Sequence, residues 1–393
     1  MIIDECANHN KSLLYHETEM KKENLSFKFS SLLWIIQEGC IMPEETLSPK
    51  ERWLAVLNRE KPDRNPMDYW ATHETTDILM NHLECENKFE MFKKLHIDKV
   101  IKLEPEYIGP TLSPGYDVFG CQHQDMDYGT GIYDECISHP LEDFQSVEEI
   151  KKRYTWPDPD WWDYRTLKKQ IQAWYNYPVQ AGDYEPLLTY KHLRGDEQAY
   201  LDLMLNPDMV HYCLDKLFYL GYEEILRSYE QIGDQVVTTY VAEDMGAQNG
   251  LLLAPEQIRT LLLPRMEKII RLVHENRICV FHHNDGSIRK ILPDLIQAGI
   301  DILNPMQWRC TGMDRRILKK DFGNEVIFHG AMDNQETLPF GSTEDVRSEV
   351  RDNMAILGSD GAYILAPCHN LQPLTPPENI FAMYETCFRE GRF

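Results

Sequence analysis

Short apolar runs recur along this chain, and stretches of helical periodicity separate them. No other feature narrows the possible fold so far. The runs lie at residues 66–70, 99–103, 177–181, 235–241, 278–283, 300–304, 326–329 and 362–366. Between them apolar residues recur at 3.6-type spacing, as over 255–275 and over 343–357, the latter opened by Thr343 as cap. Short apolar strands alternating with helices predict parallel β/α units. Eight such units predict an α/β protein built as a closed (β/α)8 TIM barrel rather than an open sheet. The 393 residues suit one such barrel with insertions, since the fold takes roughly 200 to 400.

The rhythm breaks over residues 105–165. Gly109, Pro110, Pro114, Gly115, Gly120, Gly129 and Gly131 precede Trp156-Pro157-Asp158-Pro159. This composition predicts a β-rich excursion of small strands and turns, inserted after the second strand and closed by a proline-rich connector. Near the start, Ser48-Pro49-Lys50-Glu51 has the order of a capping box, with serine as N-cap, proline at N1 and glutamate at N3. The barrel is therefore expected over 48–393. Residues 1–47 are expected to be an N-terminal extension. Met42 lies just before the first helix, so the first 41 residues are expected to be poorly ordered or an upstream reading of the start codon.

Charge excludes some partners. With 40 basic and 64 acidic residues the formal net charge is −24, which repels phosphate backbones and anionic lipid heads. Nucleic acid and membrane are therefore not expected as partners, whereas a metal ion or a neutral or cationic substrate meets no such barrier. The ten cysteines form no CxxC pair and are irregularly spaced, as reduced thiols would be. No apolar run nears the roughly 18 to 20 residues of a membrane span, and Asp4 and Glu5 spoil a basic signal-peptide front. A soluble cytoplasmic protein is expected.

In a parallel barrel, chemistry collects where strands exit at their carboxyl ends. The expected exits read Thr72-His73-Glu74, Glu104, Asp183-Tyr184 with Tyr190 soon after, Glu243-Asp244 and His282-His283-Asn284-Asp285-Gly286. The later ones read Asn304-Pro305-Met306-Gln307, His329-Gly330 with Asp333, and Cys368-His369-Asn370. Carboxylates, imidazoles and a thiol gather at one end and not at the other, which predicts an enzyme. His283 and Asp285, two apart at one exit, and Cys368 from another could hold zinc with a fourth position open to substrate. Equally, His283 could be a core histidine, Asp285 a helix cap and Cys368 an inert thiol. Of Glu243 and Asp244 only one is expected to face the mouth, either as an acid/base group or as a structural carboxylate bonded to amides. His329 reads as a core histidine. Trp70 and Trp308 read as packing residues, with a pocket floor as the alternative.

Several stretches, in order, resemble the uroporphyrinogen decarboxylase superfamily over roughly residues 50–392. They are KPDRNP at 61–66, AEDMGAQNG at 242–250 with APEQIR at 254–259, FHHNDG at 281–286 and AGIDILNPMQ at 298–307. FGNEVIFHGAMDNQETLPFGSTEDV at 322–346 and PPENI at 376–380 complete the set. The resemblance implies a (β/α)8 barrel and one of two chemistries. One branch decarboxylates uroporphyrinogen without a cofactor. The other is similar to zinc-dependent methyltransferases that move methyl groups to or from corrinoid proteins.

For the decarboxylase branch, Tyr190 lies where that branch has an active-site tyrosine and His369 resembles its late histidine. Glu104 replaces its aspartate, and Glu243 falls near its substrate-binding serine. The branch's arginine-rich RQAGR segment is missing, since YWATHETTDIL stands at 69–79. A mouth bearing Glu74, Glu104, Glu243 and Asp285 would repel a polycarboxylate.

For the methyltransferase branch, the metal motif is His-x-Cys plus a distant Cys. Here His283-Asn284-Asp285 puts aspartate at the first cysteine position and Cys368 matches the second. The expected protein is a methyltransferase with zinc on His283, Asp285 and Cys368. Glu243, Asp244 and His369 form its catalytic set, and Glu104, Tyr190, Gln307 and Asp333 its substrate contacts. A small thiol or methoxy compound exchanges a methyl group with a corrinoid carried by a partner protein, and a homodimer is possible. The alternatives are a cofactor-free decarboxylase and a non-catalytic corrinoid- or porphyrinoid-handling partner.

Overall fold

The computed structural model describes residues 44–129 and 131–393. The expectations for the first 41 residues lie outside the described residues.

At the centre is a seven-stranded parallel sheet. In order it comprises Ile101–Leu103, Val179–Tyr184, Thr238–Ala242, Cys279–His283, Ile302–Asn304, Ile327–Met332 and Tyr363–Pro367. Neighbours in the sheet follow chain order, with helical segments between consecutive strands, as β/α units require. The sheet is curled. Segment 66–71 lies between its edges: Met67 bridges Leu365 and Ala71 bridges Leu371, both in parallel, while the Met67 carbonyl accepts the Asp98 N–H at 2.6 Å.

Seven of the eight expected strands thus join the sheet, and the segment expected as the first does not form a regular strand. The reason is chemical. Pro66 has no N–H to give. The Met67 N–H goes to the Asp98 side chain at 2.9 Å. The N–H groups of Tyr69 and Val100 go to Asp68 Oδ1 at 2.8 and 3.3 Å. Side-chain carboxylates take the amides that a ladder would otherwise pair.

Phe281, Ile302, Ile327, Ile364 and Val100 form one buried cluster together with Trp53. Trp53 belongs to helix Pro49–Leu57, whose N-terminus carries the capping box of Ser48 and Glu51. The Trp53 ring is fully buried and its indole N–H donates to the Asp98 carbonyl at 2.9 Å, so both its apolar body and its polar tip are satisfied. A second, larger cluster packs the apolar faces of the helices against the sheet.

Two helix expectations are refined. The stretch 255–275 is interrupted by a wide turn over Ile258–Leu262 before helix Leu263–Glu275. Pro264, with no N–H, sits just after it. Helix Thr343–Leu357 is capped by Ser342 paired with Asp345, not by Thr343.

Within residues 105–165, Gln122–Asp127 and Ile132–Ser138 form an antiparallel hairpin. Glu106–Tyr107 pairs with Trp162–Asp163, so the chain leaves and re-enters at one place. The hairpin reaches the carboxyl end of the sheet. Tyr128 Oη donates to Gln372 Oε1 at 2.6 Å and the Ile132 N–H donates to Glu74 Oε1 at 2.9 Å. Among the described residues no helix is long and apolar enough to cross a membrane.

Candidate metal centre

Strand Cys279–His283 lies in the middle of the sheet and its side chains alternate between the two faces. His282 turns outward and is fully buried, with Nδ1 2.7 Å from the Val241 carbonyl. Burial lowers its pKa to about 4, so it stays neutral. His283, on the inner face, ends the strand beside the cavity walls. Its ring lies nearly parallel to those of Trp70 and Tyr240, with centroids 5.7 and 5.8 Å away.

Two glycines bring the carboxylates to it. Gly286 has φ +83°, and a Cβ there would lie 2.6 Å from the Gly246 carbonyl carbon. The loops after two adjacent strands can therefore touch only because both positions lack side chains. At this crossing the Asp285 N–H donates to Asp244 Oδ1 at 2.9 Å. His283 Nε2 is then 3.6 Å from Asp244 Oδ1 and 4.0 Å from Asp285 Oδ1. One donor atom from each of Asp244, His283 and Asp285 lies within 4.8 Å of the others. Gln307 braces the group: its Nε2 donates to Asp285 Oδ1 at 2.9 Å, and its Oε1 accepts the Gly286 N–H at 2.5 Å. Burial raises the Asp285 pKa, and Asp244 adds to this while His283 opposes it. Crowded carboxylates beside an imidazole with little protein cation to neutralise them are what a cation would relieve. One imidazole and two carboxylates suit a divalent first-row ion and leave positions open.

Two cavities flank the group. One, of about 580 Å³, is walled by Trp70, Tyr240, Phe281, Lys99, Lys102 and Glu185, among others. The other, of about 350 Å³, is lined by Asp285, Gln307, Trp308, Cys368 and His369, among others. Asn370 belongs to both walls.

The residues expected from sequence divide between site and scaffold. Asp244, His283, Asp285 and Gln307 come together. Cys368 lines the smaller cavity but lies outside the three-donor group; its thiol donates to the Met306 carbonyl at 3.3 Å. Burial, with Glu349 and Asp333 near, raises its pKa well above the usual value, so it is a protonated thiol. His369 is exposed at the rim of that cavity.

The other expected residues lie outside the three-donor group. Glu243 is buried and accepts the Leu187 N–H at 3.0 and 3.2 Å, at the start of helix Pro186–Arg194. Burial first, then Glu185, raises its pKa well above the carboxylate range. The Tyr190 hydroxyl donates to buried Asp202 at 2.7 Å, and Tyr190 lines neither of the two cavities. Glu104 lines neither cavity; it is exposed and pairs with Lys102 at 2.8 Å. Asp333 accepts the N–H groups of Gln335, Glu336 and Thr337 and pairs with Arg309 at 2.7 Å, so it builds the rim of the smaller cavity.

Sequence reasoning missed Asn304, whose Oδ1 lies 2.6 Å from His283 Nδ1. It also missed Tyr240 and Glu185. Asn304 was visible at a strand exit, next to Pro305. Nothing local marked its partner.

The model of the family described as uroporphyrinogen decarboxylase (URO-D) matches residues 187–389, just over half of the chain, and the protein belongs to that family. No curated protein matches the sequence. A solved methyltransferase from Methanosarcina mazei is 17% identical, with a TM-score of 0.60 over 87% of this chain and 98% of that one. The two therefore share a fold. SrfJ from Salmonella typhimurium is 10% identical, with a TM-score of 0.41 over 84% of this chain and 76% of that one.

Proposed function

We propose that this protein is a metal-dependent methyltransferase. It would exchange a methyl group between a small methoxy or thiol compound and a corrinoid carried by a partner protein. The reading treats the curled sheet with segment 66–71 as a closed (β/α)8 barrel, and residues 105–165 as an excursion over its mouth. The observation that carries it is the convergence of His283 Nε2 with carboxylate oxygens of Asp244 and Asp285 between two cavities. The fold shared with a methyltransferase supports it.

Asp244, His283 and Asp285 would hold the ion, with zinc as the expected metal. When bound, such an ion supplies Lewis acidity that polarises a methoxy oxygen or lowers the pKa of a thiol. This chain's residues do the rest. Gln307 fixes the Asp285 carboxylate. Trp70 and Tyr240 give apolar walls that exclude water. His369 stands at the rim of the smaller cavity, where a substrate would enter. Cys368 lies outside the three-donor group, with its thiol donating to the Met306 carbonyl.

The decarboxylase reading has less support. The Tyr190 hydroxyl is committed to Asp202, and two of the larger cavity's three lysines are paired, Lys99 with Asp68 and Lys102 with Asp183 and Glu104.

Elemental analysis of the purified protein tests the metal. One zinc per chain is expected, lost in His283→Ala and Asp285→Ala and kept in Cys368→Ala. Cobalamin spectroscopy tests the chemistry: cob(I)alamin should become methylcob(III)alamin only with a methoxy donor present. Metal-free protein with undiminished turnover defeats the proposal.

A further inference from the structure

Behind His283 a line of buried polar groups crosses the sheet interior, and none of them lies within the three-donor group. His283 Nδ1 is 2.6 Å from Asn304 Oδ1. Asn304 Nδ2 is 2.7 Å from His329 Nδ1. His329 Nε2 is 3.1 Å from Asp68 Oδ2. Asp68, Asn304 and His329 are each at most 1% exposed, so no water competes for these bonds.

We propose that Asp68, His329 and Asn304 are positioning residues that lock His283 in its Nδ1–H tautomer, leaving the Nε2 lone pair aimed at Asp244 and Asp285. The inference rests on the reading of those three residues as a metal site.

The direction of the line follows from its far end. Asp68 is an anion and can only accept. Its Oδ1 receives the Tyr69 and Val100 N–H groups, and its Oδ2 receives the Trp70 indole N–H at 2.9 Å. Lys99 lies 3.4 Å away. His329 must therefore present Nε2–H to Asp68, which leaves its Nδ1 as an acceptor. Asn304 then turns its NH₂ to His329 and its carbonyl to His283. A carbonyl accepts only, so the His283 proton is held on Nδ1. The reverse order would set the His329 Nε2 lone pair against the Asp68 carboxylate, and would point a proton from His283 into the donor group. Trp70 clamps both ends, since its N–H holds Asp68 while its ring lies parallel to His283 and edge-on to His329. Partners of this kind orient a metal-bound imidazole and raise its basicity.

The test is the tautomer itself, read by ¹⁵N NMR of histidine-labelled, chelator-treated full-length protein at pH 8. His283→Gln and His329→Gln variants assign the signals. His283 protonated on Nδ1 and His329 on Nε2 is the expected result; either ring in the opposite tautomer overturns the relay. The tautomers are read on the parent protein, and the two variants serve only to assign its signals. A second readout is zinc affinity by competition with a chromophoric chelator. Asn304→Leu should lose affinity about 10- to 100-fold. Equal affinities for Asn304→Leu and the parent also overturn the relay. The expected tautomers in a protein that binds no zinc keep the relay and overturn the metal site. Zinc binding with the opposite tautomers does the reverse.

Discussion

Asp98 shows what a single buried charge contributes here. It is fully buried, yet Arg52 Nη1 reaches it at 2.6 Å and Arg64 Nη1 at 2.7 Å, and the Met67 N–H binds Oδ2. Both arginines are 1% exposed. Glu45 and Asp63 close the knot from outside. Removing one partner of such a pair leaves buried charge uncompensated, a loss of about 3–5 kcal/mol. Asp98→Ala should therefore unfold at much lower urea than the parent, by about that amount, with Asp98→Asn between the two.

Glu185 shows the opposite situation. It lines the larger cavity, and its side chain makes no hydrogen bond or ion pair among the described residues. Burial, with Asp183 and Asp244 near, raises its pKa to about 8. A carboxyl with a raised folded pKa binds its proton more tightly folded than unfolded. Its favourable contribution is thus complete below about pH 4.5 and is lost as pH rises towards 8. Each tenfold in proton affinity is worth about 1.4 kcal/mol. Glu185→Gln, which mimics the protonated form, should match the parent in stability near pH 4.5. It should exceed the parent by at least about 1.4 kcal/mol at pH 9, measured by denaturant melts at each pH.

At the scale of elements, the site depends on a crossing of two loops. Gly286 combines a positive φ with a gap that any side chain would fill. Gly286→Ala should leave the sheet intact by circular dichroism. It should displace Asp285 and weaken zinc binding at least tenfold in a chelator competition, whereas alanine at Gly250, which has open space around it, should not. Element legibility follows the same chemistry. Six strands of the sheet were visible because their apolar runs are buried on both sides, whereas Ile101–Leu103 exposes Lys102. Segment 66–70 misled because it pairs with a strand on one side only: the Asp68 N–H goes to the Leu365 carbonyl, while the Met67 and Tyr69 N–H groups go to the carboxylates of Asp98 and Asp68. The site was half legible. Asp244, His283, Asp285 and Gln307 follow strands and so fall at one end of the sheet. Glu243 and Tyr190 also follow strands, but a helix N-terminus and Asp202 claim them.

Across the whole molecule, the hairpin of Gln122–Asp127 and Ile132–Ser138 binds groups far from it in sequence, Glu74 and Gln372. Gln372 also lines the smaller cavity, so the hairpin braces the rim. It exposes Met126, Ile132 and Tyr133 and holds little core of its own. The double variant Glu74→Ala, Tyr128→Phe should be cut in the hairpin faster by limited proteolysis. Its global stability should change by no more than about 0.5 kcal/mol.

The sequence alone determined the parallel α/β architecture, the end of the sheet where chemistry collects and the sign of its charge. Those properties follow from periodicity and composition, which act over a few residues. Only the tertiary structure decided that Asp244 and not Cys368 stands beside His283, and that Asn304, His329 and Asp68 line up behind it. Which donor atoms meet is set by loop crossings and ring orientations between strands tens of residues apart. No local pattern encodes those distances.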